Sequence, residues 1–230
     1  AGGWVSARNI TVGNGFGRIL LDGGTLRLHE GPMNGPQEVR VMAGGAHIDV
    51  LSGRFTLARP LLAGEVNDGG LVKTGAGMLA LDSAVSHTFT GPVTVQEGTL
   101  AIRSSTAASL PAGTTLTVLP GAGLHLASEG AAAARIVTVA DATLGAAAPS
   151  ADASLAVWCG ANDTCDQLAV TGSLTLGRVA VSLYQRGTLD PALYAGVYPI
   201  LAYAGADPDL TGLSVANPIP SRSYAKYLSP

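Results

Sequence analysis

The chain has 230 residues, of which 47% are apolar and only 13% charged, a balance that excludes disorder and leaves length enough to bury a large core as one or two domains. Its formal net charge of −3 and only two lysines, Lys73 and Lys226, leave no basic patch for nucleic acid or for an anionic membrane surface. Its 31 glycines, with abundant Thr and Val, argue for short strands and tight corners and against long amphipathic helices.

No run of about 18 apolar residues is long enough to span a bilayer, and residues 1–20 lack a signal-peptide pattern. The sequence opens inside a strand pattern at AGGWVSARNITV and reads as a fragment or a processed product.

From there one phrase recurs: an alternating apolar strand, a glycine-containing corner, and a second alternating strand. The copies are ITVGNGFGRILLDGGTLRL (10–28), VRVMAGGAHIDV (39–50), LVKTGAGMLAL (71–81), VTVQEGTLAI (93–102) and LTVLPGAGLHL (116–126), then the looser VTVADATLGA (137–146) and LAVTGSLTLG (168–177). Anchored on Val12, Val41, Val72, Val95, Val118, Val139 and Val170, they recur every 21 to 31 residues or so, within the range of solenoid repeats.

The alternation assigns faces. Leu26 and Leu28 oppose Thr25 and Arg27; Ile48 and Val50 oppose His47 and Asp49; Leu100 and Ile102 oppose Ala101; Leu124 and Leu126 oppose His125. One coil of this size has too little partner surface to bury its inner face, so successive coils must stack. The expected fold is all-β, a right-handed parallel β-helix, with 29–38 and 146–160 as insertions leaving its corners. An antiparallel sandwich also uses short alternating strands, but it gives no phrase recurring at a coil-like period.

After about residue 150 the pattern changes. All six tyrosines fall here (Tyr184, Tyr194, Tyr198, Tyr203, Tyr224, Tyr227), and prolines become dense from Pro191. A solenoid end exposes unpaired backbone and apolar surface, and tyrosine suits a cap because its hydroxyl stays wet. The division expected is 1–150 as coils and 151–230 as the last coils with a cap, GVYPILAY (196–203) forming a strand.

Cys159 and Cys165, close together in WCGANDTCD, read as a small disulfide loop made in an oxidising compartment; the alternative is two reduced thiols in a surface turn. Asn162 to Asp166 offer too few oxygens for calcium, and no second His or Cys set accompanies the pair, so no metal is expected. Asn9 and Asn162 begin N-x-T sequons.

His29, His47, His87 and His125 are expected on the surface, with His47 and His125 outward on equivalent strands. Ser83, Ser86 and His87 are neighbours without the acid and oxyanion hole that a triad needs. Asp22, Asp49, Asp68, Asp82 and Asp141 would have to form a column to serve a polysaccharide lyase or hydrolase, but Asp68 and Asp82 sit at turn-like positions, where acids are usually turn formers, and Asp49 has no equivalent acid in the coils at 79–81 or 124–126. No catalytic residue, cofactor or metal ligand is therefore assigned.

The segment GGLVKTGAGMLALDSAVSHTFTGPVTVQEGTLAI (69–102) resembles the autotransporter-associated β-strand repeat, matching in GGLVKTGAGMLAL, the FTG at 89–91 and VTVQEGTLAI. DQLAVTGSLTLGRVAVSLYQRG and AGVYPILAYAG are similar to the autochaperone region at the end of such passengers. The resemblance implies a passenger of Gram-negative type V secretion, displayed at the cell surface or secreted after crossing periplasm and outer membrane. It implies a partner in the form of the outer-membrane β-barrel translocator, whose strands do not occur in this sequence. In that family the passenger emerges C-terminus first, and an end that folds readily outside hinders backsliding. The function so implied is a non-catalytic, monomeric stalk that promotes passenger folding and displays an upstream adhesin or effector, as in virulence factors. The alternative is an adhesin surface that itself binds a host protein or glycan through 29–38 and 146–166.

Overall fold

The structure is a computed structural model and describes residues 3–7, 17–33, 38–103, 110–126, 134–147, 149–161, 164–191, 197–218 and 226. Period-two alternation gives each four-residue strand two inward side chains. The burial follows it: Leu26 and Leu28, Val39 and Val41, Phe55 and Leu57, and Leu116 and Val118 are buried, with partly or fully exposed residues between them.

The chain begins with β1 (Trp4–Ala7) and then repeats a three-sided course. β2 (Arg18–Leu21), β3 (Thr25–Leu28) and β4 (Gly31–Met33) form one coil; β5 (Glu38–Val41), β6 (Ala46–Val50) and β7 (Arg54–Leu57) form the next. β8 (Leu61–Ala63), β9 (Leu71–Thr74) and β10 (Met78–Leu81) follow. The middle coils contribute β11 (Val93–Val95) and β12 (Thr99–Ile102), then β13 (Thr115–Val118) and β14 (Gly123–Leu126). Three-sided coils resume with β15 (Ile136–Val139), β16 (Asp141–Leu144) and β17 (Ala153–Cys159), then β18 (Gln167–Val170), β19 (Leu174–Leu176) and β20 (Val179–Gln185). The last strands are β21 (Leu201–Tyr203) and β22 (Leu213–Val215).

Every ladder between these strands is parallel, and the described residues include no helix. Two sheets run eight strands deep: β1-β3-β6-β9-β11-β13-β16-β19, and β22-β20-β17-β14-β12-β10-β7-β4. The third face carries β2-β5-β8 at one end and β15-β18-β21 at the other. The fold is thus a parallel β-solenoid.

Strict register turns the inward positions into columns. In the second sheet Phe55, Leu79, Leu100, Leu124, Leu155 and Val181 stack rung on rung, beside Leu57, Leu81, Ile102, Leu126 and Val157. All are at most 4% exposed, and each buried aliphatic contributes on the order of 1.5–3 kcal/mol. At the first end Val5 occupies the inward slot paired with Leu26 and is 65% exposed.

Three sequence expectations need correction. First, the repeated phrase covers two kinds of corner. The copies at 71–81, 93–102 and 116–126 turn from first sheet to second, whereas those at 39–50, 137–146 and 168–177 turn from the third face into the first. Val41, Val139 and Val170 are therefore not equivalent to Val95 and Val118, and Val12 lies outside the described residues. Second, Val72 is one residue out of register. It pairs with Thr94 and faces outward, while Lys73 pairs with Val95 and faces in. Third, 29–38 and 146–160 contain β4 and β17, members of the second sheet and not insertions. Their alternation is hidden because β4 is Gly-Pro-Met and β17 buries both faces, Ala156 and Trp158 included.

At the far end Tyr198 and Tyr203 are partly buried against the core with Ile200, Leu201 and Leu213. Among the described residues of 196–203, only Leu201–Tyr203 is strand. Tyr184 lies instead on the outer face of the second sheet, against Trp158 at 5.1 Å between ring centroids. Tyr194, Tyr224 and Tyr227 fall outside the described residues.

Candidate functional site

Stacked strands satisfy each other's backbone, but corners leave amides and carbonyls that need other partners. The polar side chains singled out in the sequence supply them. Asp22 Oδ1 accepts from Gly44 N at 2.8 Å, one coil on, and Asp141 Oδ1 accepts from Ser173 N at 2.7 Å. Asp68, 6% exposed, accepts from Gly70 N (3.0 Å), Thr90 N (2.7 Å) and Gly91 N (2.9 Å), the last two on the next coil. Asp49 pairs instead with Arg27 at 2.9 Å, and that guanidinium lies over the Trp4 ring. These acids do not converge on a shared point; each ties one coil to its neighbour.

Lys73 is the most unexpected residue. It stands between Ile48 and Val95 in the inward column of the first sheet and is fully buried. Its Nζ donates to Thr74 O and Gly75 O at 2.7 Å and to Glu97 O at 3.1 Å. An ammonium has three protons, and three carbonyls receive them. Burial lowers its pKa from the usual 10.5 to about 8, against the opposing pull of Asp49 and Glu97. Gly75 makes the cradle possible, since its backbone is left-handed (φ 75°) and a Cβ there would strike Asp49 and the Val50 carbonyl.

His87 is buried, contrary to the surface position expected for the histidines. Its Nδ1 accepts from Leu61 N at 2.9 Å, which leaves that nitrogen no free lone pair for base chemistry. Burial depresses its pKa from 6.5 to about 4, and the ring packs edge-on against Phe89. Ser83 Oγ donates to Val85 O at 2.8 Å, so neither group is set up for a triad. His47 and His125 both face outward, but on different sheets, so they are not equivalent. His125 meets the Trp158 ring edge-on.

Cys159 and Cys165 are joined by a disulfide, and both are buried, at 0% and 5% exposure. Next to it Asp166, fully buried, accepts from Arg135 N (3.0 Å) and Trp158 N (3.3 Å) and pairs with Arg186 at 3.2 Å. Asn162 and Asp163, like Asn9, lie outside the described residues. Losing the disulfide in a Cys159→Ala/Cys165→Ala double variant is expected to cost about 2 kcal/mol, because the closed loop is short. Urea unfolding with and without reductant measures it; an unchanged midpoint on reduction would contradict the expectation.

Among the described residues no group of three or more His, Cys, Asp or Glu side chains could hold a metal ion. Sequence reasoning missed Lys73 and the bridging role of Asp68. The signal for Lys73 was its place two residues after Leu71 on the same face, which anchoring on Val72 concealed.

Residues 71–102 match the family model described as passenger-associated-transport-repeat. No curated protein and no solved structure matches the chain. The matched segment runs from β9 to the end of β12 and holds Lys73, its carbonyl cradle and the Phe89–Gly91 stretch. An autotransporter passenger repeat set in a β-solenoid fits a non-catalytic stalk.

Proposed function

We propose that this chain is a stalk of an autotransporter passenger: it folds coil on coil outside the cell, takes part in drawing the passenger outward, and holds an upstream region away from the surface. The observation that carries this reading is the matched repeat lying within two parallel sheets that each run eight strands deep. Its buried acids and Lys73 bond between neighbouring coils, so the polar groups serve the stack and not a substrate. Nearest-neighbour growth of this kind gains stability with each added coil, which favours outward movement without an external energy source. Residues 151–230, with Tyr198 and Tyr203 against the core, would serve as the cap that forms first.

The test places the chain between a reporter domain and an outer-membrane barrel translocator in a Gram-negative cell. The expected result is a reporter exposed on the cell surface and a chain that resists external protease. A reporter retained in the periplasm, or a displayed chain digested as readily as an unfolded one, would overturn the proposal.

A further inference from the structure

The third face carries ladders β2-β5-β8 and β15-β18-β21, but among the described residues none between Ala63 and Ile136. The junction that follows β8 is therefore held by two ladders instead of three. Those two ladders are short: β9–β11 pairs three residues and β10–β12 four. A slip of two residues would keep every inward position inward, and Leu, Val and Ile at these rungs discriminate weakly between the two registers. Something other than apolar patterning has to fix the register here.

The same junction has side chains in the place of a ladder. The N–H groups of Leu61 and Ala63, which β8 turns toward the next coil, donate to His87 Nδ1 (2.9 Å) and Thr88 Oγ1 (3.1 Å). Thr88 N returns a bond to Leu61 O at 2.9 Å. One corner further on, Asp68 receives the amides of Thr90 and Gly91. At the opposite corner Lys73 Nζ reaches Glu97 O, and Glu97 Oε2 accepts from Gly75 N at 3.2 Å. A two-residue slip would strip the buried Asp68 carboxylate of the Thr90 and Gly91 amides and the buried Lys73 ammonium of Glu97 O, a penalty that apolar packing alone does not impose.

We propose that residues 61–97 form a register lock, in which His87, Thr88, Asp68 and the Lys73–Glu97 pair specify how one coil seats on the next where the third ladder lapses. The lock is a property of the stack and stands whether or not the chain serves as a stalk; register slip and failed display are separate results.

Cysteine pairs in the full chain test it. Val72→Cys with Thr94→Cys joins registered neighbours on the outer face of the first sheet, whereas Thr74→Cys with Thr94→Cys reports a two-residue slip. In the otherwise native chain only the registered pair should crosslink. With Asp68→Asn and Lys73→Met added, the slipped pair should form at least ten-fold more than before, read by mass spectrometry of the linked peptide. No rise in the slipped crosslink in that folded background would overturn the proposal. The single variant Asp68→Asn, which keeps an acceptor oxygen, provides an independent reading by hydrogen exchange. Exchange should quicken at least ten-fold over 61–97 and stay unchanged over β17 and β20; equal quickening along the whole chain would also overturn it.

Discussion

Lys73→Ala is expected to destabilise the chain by about 5 kcal/mol, the largest effect of any single substitution considered. Two losses combine. The buried stem fills a slot between Ile48 and Val95, and truncating a side chain of that size to alanine in a packed core costs roughly 2–5 kcal/mol. The carbonyls of Thr74, Gly75 and Glu97 also lose their donor, at about 1 kcal/mol or more for each that stays dry. Lys73→Met separates the two losses: it keeps most of the volume and sheds the buried charge but still leaves the three carbonyls without their donor, so it should lose about 1–3 kcal/mol, less than the alanine variant. Urea unfolding at neutral pH gives both numbers. A loss under about 2 kcal/mol for the alanine variant would show that the lysine is not seated as described.

The same residue gives an alkaline signature. Its pKa is about 8 in the folded chain and 10.5 in the unfolded one. Between those values the unfolded chain holds a proton that the folded chain has released, so stability rises with pH across that window. Native chain and Lys73→Met should diverge there in slope.

The second large effect lies on the acid side. His87 titrates near 4 when folded and near 6.5 when unfolded. Its contribution is complete above about pH 6.5 and is lost as pH falls toward 4, because protonation has to break the bond from Leu61 N and charge a buried ring. The difference corresponds to about 3 kcal/mol at most. His87→Gln offers Leu61 N an acceptor that does not titrate in this range, so the comparison isolates the imidazole from the carboxylates. Stability of the two proteins should part below pH 6.5, by denaturant titration at half-unit steps; parallel curves down to pH 4 would place His87 in contact with water.

Much of this fold was legible in the sequence because its rule is local. Leu26 and Leu28, or Leu124 and Leu126, declare an inward face by alternation alone, and glycines mark the corners. The third face was less legible. Its strands are short, and next after β8 the described residues have no third-face ladder but bonds from His87, Thr88 and Asp68, whose partners lie 22 to 26 residues away. Residue type misled where burial and chemistry disagree: Lys73 is an inward residue with a surface residue's charge, and Trp158 is an outward residue with a core residue's bulk. Nothing in a period-two pattern announces that Thr74, Gly75 and, one coil on, Glu97 will provide three carbonyls, or that Tyr184, His125 and Thr188 will cover an indole.

The interrupted third face also bears on mechanics. Two sides of the rod are tied by hydrogen-bonded ladders along nearly its whole length, while on the third side, where Leu61–Ala63 meet residues 82–92, the described residues supply one backbone bond, from Thr88 N to Leu61 O, and a few side-chain bonds. A load that bends the rod so as to stretch the two continuous sides meets rows of backbone bonds; the opposite bend meets far fewer. Flexing is therefore directional, with the compliant side running alongside residues 82–92, and a rod standing in shear flow would yield toward one side rather than equally in all directions.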